Sequence, residues 1–166
     1  GIESAAAINT IVTITKLVPI FAFVVVAILS IKAGVFTAHF WQNMSTNVGG
    51  KLVFSSATGA GIAEQIKNCV MAMMWVFVGI EGATMMAARA KKKSDAGKAT
   101  IIGLISLLII YMVVSILPYG YLSLQELQHV QHPALLYLFE SMTGPIGGAF
   151  ISIGLIISIL GAWLSW

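Results

Sequence analysis

The segment 69–88 constrains the fold of this chain more than any other stretch. It reads CVMAMMWVFVGIEGATMMAA and holds one carboxylate, Glu81, between Gly79 and Gly82. An α-helix of about 20 residues rises roughly 30 Å, which is the thickness of the hydrocarbon core of a bilayer. Because a charge at that depth costs on the order of 3 kcal/mol, we expect Glu81 to have a task.

The two glycines beside Glu81 predict an interrupted helix. Each glycine removes side-chain bulk and weakens a helix by about 1 kcal/mol relative to alanine. The order glycine, carboxylate, glycine in mid-membrane therefore favours a helix that opens locally and exposes backbone groups. Two interpretations follow: a substrate or proton site, or a kinked helix in which Glu81 pairs with a neighbouring cation.

The composition indicates an all-α, polytopic membrane protein. Of the 166 residues, 58% are hydrophobic and 9% are charged, whereas a soluble domain is about 25% charged. The lone cysteine, Cys69, is expected to be a small core residue. The sequence carries no disulfide framework and no zinc-type ligand spacing, so we expect neither a metal ion nor a cofactor.

Four membrane spans are predicted in one set, near residues 8–31, 67–88, 100–122 and 145–166. The loop 89–98 carries five lysine and arginine residues, which by the positive-inside rule is cytoplasmic rather than a nucleic-acid-binding patch. The connection 32–65 then lies outside, with an interfacial aromatic segment near Trp41 and with His39 facing solvent. A polar loop is expected between the last two spans, over residues 123–144.

The two ends of the sequence predict an internal piece of a larger protein. The chain begins without an initiator methionine or a basic leader region, and it stops inside an apolar segment.

The first predicted span carries a polar face ahead of Pro19. Asn9, Thr13 and Lys16 are spaced by four and three residues, which places them on one side of a helix. Lys16 lies about two turns into the span. It either extends its stem to the interface, or it is a buried ammonium that can exchange a proton.

The last predicted span carries a face of small residues at helical spacing. The face comprises Gly154, Ser158, Gly161 and Ser165, and it is suited to close helix contact. Trp163 lies just beside this face. A tryptophan near a membrane is typically an interface anchor, although Trp163 comes deep into the span.

Catalysis is not expected from this sequence. It contains no P-loop, no Ser/His/Asp arrangement and no HExxH motif, and Glu81 and Lys16 are the only candidates for intramembrane acid–base chemistry. A channel would show polar residues on several spans, whereas the last two spans have small or apolar faces. A scaffold in which Glu81 and Lys16 form a structural ion pair is the alternative from another class.

Four sequence runs, two of them overlapping, resemble transporters of the amino acid–polyamine–organocation superfamily. WVFVGIEGA, residues 75–83, resembles the sixth helix of that family, with an aromatic residue, F-x-G-x-E-x-A and a basic loop. FVGIEGATMMAARAKKKSDAGKAT is similar to the basic amino acid/polyamine antiporters, in particular those exchanging arginine for ornithine. AINTIVTITKLVPI and LGAWLSW resemble helices five and eight. The resemblance covers the whole chain, as helices five to eight of an expected twelve.

The resemblance implies a fragment of a fold of two inverted five-helix repeats, with substrate held near the midplane between broken helices one and six. The function implied is secondary transport, exchanging arginine for ornithine by alternating access in a bacterial inner membrane. The alternatives are a proton-coupled permease for another substrate and a non-transporting scaffold or channel. The partners implied are arginine, ornithine, the lipid bilayer and the rest of the parent chain; a homodimer is left open, and no nucleic acid is expected.

The resemblance also assigns residues. Seven are implied at the substrate: Trp75, Phe77, Gly79, Ile80, Glu81, Ala83 and Trp163. Trp75 is the implied aromatic gate, and Trp163 is implied to pack on the substrate's side chain, where a cation over an indole gains about 0.5–2 kcal/mol. The backbone between Phe77 and Ala83 is implied to bind the α-carboxylate and α-amino groups. Glu81 and Lys16 are the implied proton- or ion-coupling residues, with Lys16 in the place of a sodium ion.

Overall fold

The computed structural model describes residues 2–46, 49–79 and 81–165, with side chains at all of these except 2, 46, 83, 84, 86, 164 and 165. Helices dominate, which confirms the predicted fold class. The helices are α1 (Ile2–Leu29), α2 (Ala33–Thr37), α3 (Gly59–Met73), α4 (Gly82–Ala87), α5 (Lys93–Ile116), α6 (Leu124–Gln128), α7 (Ala134–Thr143) and α8 (Pro145–Ser165). Two strands, β1 (Gln42–Thr46) and β2 (Leu52–Ser56), lie between α2 and α3.

The chain forms two compact units. The first unit comprises Gly1–Ala38 and Val113–Trp166, and the second comprises His39–Met112.

The first unit contains a buried apolar core. Its members come from α1, α7, α8 and the 3-10 helix Leu117–Gly120, which directly follows α5. They are Phe23, Ala27, Leu117, Leu138, Phe139 and Ile151. Helix α1 packs against α7 and α8, and α7 packs against α8.

Helix α7 corrects the predicted polar loop at 123–144. The run ALLYLF starts this helix, and Leu138 and Phe139 are buried in the core. His129 and His132 precede this short apolar helix and Glu140 lies within it, so the sequence here was interpreted as a polar loop. Half of the expected loop is therefore a structural element of the first unit.

Helices α1 and α8 run antiparallel and meet through two glycines. A Cβ on Gly154 would overlap the ring of Pro19, and a Cβ on Gly161 would overlap the side chain of Val12. Both glycines are buried. The predicted small-residue face is thus confirmed at these two positions; Ser158 is half-buried, and the side chain of Ser165 lies outside the described residues.

A capping box begins α6 in the first unit. The hydroxyl of Ser123 accepts the N–H of Glu126 at 3.3 Å, and a carboxylate oxygen of Glu126 accepts the N–H of Ser123 at 2.9 Å. The Ser123 hydroxyl also donates to the same carboxylate oxygen at 2.8 Å. The pKa of Glu126 is lowered, first by the bond from the backbone N–H of Ser123, then by the bond from its hydroxyl and by the nearby charge of Lys32, while desolvation opposes the shift. Lys32 also lies over the Tyr121 ring, with Nζ 5.2 Å from the centroid.

The second unit contains a β-hairpin that the sequence interpretation missed. Strands β1 and β2 are antiparallel, with Gln42 opposite Ser56 and Thr46 opposite Leu52. His39 is exposed, as expected, and its ring stacks on Phe54 with 3.5 Å between centroids.

Helix α3 follows the hairpin and begins at a side-chain cap. The hydroxyl of Thr58 accepts the N–H of Gly61 at 3.2 Å and also accepts a bond from the Asn43 amide of β1. Cys69 is exposed on this helix. The expectation of a core cysteine was wrong, because α3 has no buried residue.

Within the described part of the chain, three helical stretches are long and apolar enough to cross a membrane: Glu3–Leu29, Lys93–Gly120 and Pro145–Trp163. They overlap three of the four predicted spans. The helix that overlaps the predicted span 100–122 is α5, and it begins at Lys93 rather than near residue 100. Asp95 therefore lies in its first turn, where negative charge is favourable. The predicted span at 67–88 is not one helix, since α3 ends at Met73 and α4 begins at Gly82.

Candidate functional site

The backbone leaves helical geometry between α3 and α4. A 3-10 helix, Met74–Phe77, continues from α3, and its last bond runs from the Val78 N–H to the Trp75 carbonyl at 3.4 Å. Val78 is extended, with φ −62° and ψ 134°, and Gly79 has φ +102°. The N–H of Gly82 then donates to the Gly79 carbonyl at 3.0 Å, where α4 starts. The predicted interruption is confirmed, and we call residues 74–81 the interrupted segment.

Gly79 is the residue whose conformation requires glycine. A φ of +102° lies where residues with a Cβ are disfavoured, whereas glycine adopts it freely. An added Cβ would meet no atom within 4 Å, so the constraint comes from the backbone rather than from space. Gly82 has no positive φ. Gly79 therefore permits a positive φ, whereas Gly82 begins α4 without one.

The carboxylate of Glu81 bonds to the interrupted segment itself. Its Oε2 atom accepts the N–H of Gly79 at 2.9 Å, and the Glu81 side chain is exposed. A hydrogen bond to a charged acceptor is roughly twice as strong as one between neutral groups. The interrupted segment thus presents a backbone donor in a position that a carboxylate oxygen can reach.

Tyr111 of α5 contacts the segment from outside it, and sequence analysis did not single this residue out as functional. Its hydroxyl donates to the Val76 carbonyl at 3.3 Å. Its ring meets the Phe77 ring edge to face, at 5.7 Å between centroids and an interplanar angle of 82°. A tyrosine in the apolar run LLIIYMVV was the available signal, since a phenol hydroxyl in such surroundings needs a hydrogen-bond partner.

The predicted substrate-contacting residues of the second unit gather in and beside the interrupted segment. Trp75 lies on the 3-10 helix and is 81% exposed, while Phe77 is half-buried against Tyr111. Ile80 lies outside the described residues. The backbone of Ala83 belongs to α4, and its side chain lies outside the described residues.

The other two predicted site residues belong to the first unit. Lys16 is half-buried on α1, three residues before Pro19, which packs on Gly154. Trp163 is 79% exposed on α8, two residues beyond the buried Gly161. The predicted site residues are therefore divided between the α1–α8 pair and the interrupted segment.

The polar face predicted on α1 is partly satisfied within the helix. The Thr13 hydroxyl donates to the Asn9 carbonyl at 2.8 Å, which is a common way for a threonine to be accommodated in a helix. Thr10 and Thr15 make the same kind of bond one turn back. The hydroxyl of Thr13, one member of that face, is therefore satisfied within α1.

Comparison with known proteins identifies a family whose model covers the chain. The family model described as amino acid permease matches residues 1–166. The chain is 59% identical to an arginine/ornithine antiporter of Latilactobacillus sakei and 39% identical to one of Pseudomonas aeruginosa. It is 36% identical to an arginine/agmatine antiporter of Chlamydia felis.

Each of these three alignments covers the whole chain and 32–33% of the relative. The chain thus spans about a third of the length of the curated relatives it matches. No solved structure matches it.

Proposed function

The chain belongs to the amino acid permease family, and we propose that the protein containing it exchanges arginine for ornithine by alternating access. Membership in that family and three helices able to cross a bilayer make it a multi-pass membrane protein. The observation that carries the proposal is the interrupted helix in which a carboxylate already accepts the N–H of Gly79. Relatives named arginine/ornithine antiporter support the substrate pair.

In this proposal the interrupted segment binds the backbone groups of the amino acid. The substrate's α-carboxylate accepts from the Gly79 N–H in the way that Glu81 does at 2.9 Å. The α-ammonium group donates to carbonyl groups that the missing helical turn leaves without intrahelical partners. Interrupted membrane helices offer such groups where a continuous helix cannot. Phe77, Gly79, Ile80 and Ala83 contribute through this stretch of backbone.

Two tryptophans recognise the cationic end of the substrate in this account. Trp75 and Trp163 both have exposed indole rings. A guanidinium or ammonium group over an indole face gains about 0.5–2 kcal/mol. Trp75 gates the site, and Trp163 packs against the side chain of the bound arginine or ornithine.

Glu81 and Lys16 couple charge to transport in the same proposal. When Glu81 takes up a proton, its hold on the Gly79 N–H weakens, because the bond loses its charge assistance. That donor is then available to the substrate. Lys16 supplies a positive charge on α1, three residues before the buried Pro19. The family resemblance implies that this lysine takes the place of a sodium ion.

The environment is part of the proposal. We infer four spans near 8–31, 67–88, 100–122 and 145–166, with the second formed by α3, the interrupted segment and α4, in an inverted-repeat fold. The basic loop 89–98 faces the cytoplasm of a cell with this protein in its inner membrane. The partners are the two amino acids, the bilayer, the rest of the chain and, as a further assembly, a second copy. The protein transports its substrates without chemical conversion.

A second exchange partner, agmatine, is supported by the relative from Chlamydia felis. Agmatine is arginine without its carboxylate, so it cannot accept the Gly79 N–H. Competition therefore separates the two candidates: external ornithine displaces labelled arginine efficiently if this proposal is right, and agmatine displaces it poorly. The reverse order would favour arginine/agmatine exchange.

The test is exchange in vesicles containing the full-length protein. Labelled arginine should enter vesicles loaded with ornithine and not empty ones. Glu81→Gln and Lys16→Met should each lower exchange about tenfold or more, because each removes an ionisable group that the proposed coupling of charge to transport requires, and coupling free energies are typically about 1–3 kcal/mol. The matched controls are Glu64→Gln and Lys67→Met, since both residues are exposed on α3.

Two results would overturn parts of this account. Arginine uptake that does not depend on internal ornithine would contradict antiport. Exchange by Glu81→Gln and Lys16→Met that equals exchange by their controls would contradict the site.

A further inference from the structure

We propose that Tyr111 is a positioning residue that holds the interrupted segment in its substrate-binding conformation and thereby sets the apparent affinity for arginine. The inference rests on the proposed function, because it assigns to Tyr111 the task of supporting that binding segment. Tyr111 acts through Val76 and Phe77 and does not itself touch the substrate in this account.

The hydroxyl of Tyr111 supplies a donor where the helix has ended. The last carbonyl groups of a helix have no intrahelical donor, and Val76 lies in the final turn before the extended Val78. The Tyr111 hydroxyl donates to the Val76 carbonyl at 3.3 Å, across 35 positions of sequence. The bond connects the interrupted segment to α5, a regular helix of 24 residues.

The ring of Tyr111 makes a second contact at the next residue. It meets the Phe77 ring edge to face with 5.7 Å between centroids. Aromatic pairs in this geometry are favourable beyond the area that they bury. Val76 and Phe77 are thus held at the backbone and at the side chain, directly ahead of Val78 and Gly79.

The position of these contacts determines what they control. Of the described residues between Phe77, where the 3-10 helix ends, and Gly82, where α4 begins, Val78, Gly79 and Glu81 belong to no helix. The path of the chain there therefore depends on where the preceding turn is held. If the Val76 carbonyl loses its donor, that turn can adopt other conformations, and only a fraction of molecules presents the Gly79 N–H correctly. An apparent dissociation constant rises in inverse proportion to the competent fraction.

The first test compares two Tyr111 variants for arginine exchange by the full-length protein. Tyr111→Phe removes the hydroxyl and keeps the ring, and it should raise KM about threefold to tenfold while the maximal rate per protein is retained. Tyr111→Leu also removes the ring contact and should raise KM further. The matched control is Tyr119→Phe, whose side chain is exposed beyond α5 and should exchange like the unaltered protein.

The second test follows the segment directly with a thiol at residue 78. Val78→Cys is made in a background whose native cysteines, Cys69 among them, are alanine, and its alkylation rate is measured against arginine concentration. Arginine should slow alkylation, and Tyr111→Phe should raise the arginine concentration needed for half-protection by the same factor as KM.

The outcomes separate the inference from the proposed function. If arginine protects residue 78 equally well with tyrosine or phenylalanine at 111, the positioning role is overturned and the substrate site stands. If arginine gives no protection when Tyr111 is present, the substrate site itself is overturned. A Tyr111→Phe variant that loses maximal rate at unchanged KM would also contradict the inference.

Discussion

At the scale of single residues, the most important feature is the positive φ of Gly79. Gly79 has a φ of +102° ahead of α4, and the Glu81 carboxylate accepts the Gly79 N–H. Gly79 thus provides a backbone N–H donor outside the helices, and the carboxylate of Glu81 accepts from it.

The two glycines beside Glu81 allow a matched test of this point. Gly79→Ala should lower stability by about 1–3 kcal/mol, because a Cβ is disfavoured at positive φ. Gly82→Ala should be neutral or slightly stabilising, since Gly82 begins α4 and an added Cβ meets nothing within 4 Å. The measurement is the apparent melting temperature of the purified full-length protein in detergent. Equal effects of the two substitutions would show that the conformation of Gly79 is not the constraint.

Residues differ in how far sequence alone reveals them. Glu81 could be identified because a carboxylate in an apolar stretch is costly, and the interruption could be identified because glycines surround it. Tyr111 could not be assigned a role, because its contacts with Val76 and Phe77 depend on how α5 lies beside a segment 35 positions away. The sequence therefore revealed the local features of this segment but not its tertiary contact with Tyr111.

At the scale of elements, α1 and α8 are in close contact within the first unit. Val12 and Pro19 are seven residues apart on α1, and so are Gly161 and Gly154 on α8. The two contacts therefore recur after two helical turns on the same faces of an antiparallel pair. Glycine at both places lets the side chains of α1 lie directly on the backbone of α8.

Adding a methyl group at either glycine should force these helices apart. Gly154→Ala and Gly161→Ala should each lower stability by about 1–3 kcal/mol through overpacking. Gly103→Ala is the control, because Gly103 lies inside α5 and its Cβ would meet no atom within 4 Å. That control should gain up to about 1 kcal/mol from helix propensity.

Thermal unfolding of the full-length protein in detergent compares these three variants. If alanine at 154 and 161 behaves like alanine at 103, the two glycine contacts do not determine how α1 and α8 pack.

The long helices could be predicted from the sequence and the short elements could not, for a physical reason. The long apolar helices α1, α5 and α8 are evident from the sequence, because each contains an apolar run long enough to cross a membrane. Helix α7 has ten residues beside several polar groups, and the hairpin β1–β2 has strands of five residues. Such short elements are stabilised by their surroundings more than by their own sequence, so they were assigned to loops.

At the scale of the whole molecule, the proposed site is divided along the chain. Trp75, Phe77, Gly79 and Glu81 belong to the second unit, and Lys16 and Trp163 belong to the first. The chain spans about a third of the length of its relatives. Family membership and the apolar helices could be predicted from the sequence, because motifs and composition are local properties. The arrangement of the whole substrate site depends on contacts that are not local.

The central claim is that the interrupted segment binds the substrate, and hydrogen–deuterium exchange of the full-length protein tests it most directly. Saturating arginine should slow amide exchange in peptides covering residues 74–82, because the substrate's carboxylate would occupy the Gly79 N–H and order the backbone beside it. Exchange in the hairpin at residues 42–56 should be unchanged and serves as the internal control. Unchanged exchange across residues 74–82 at saturating arginine would contradict the account.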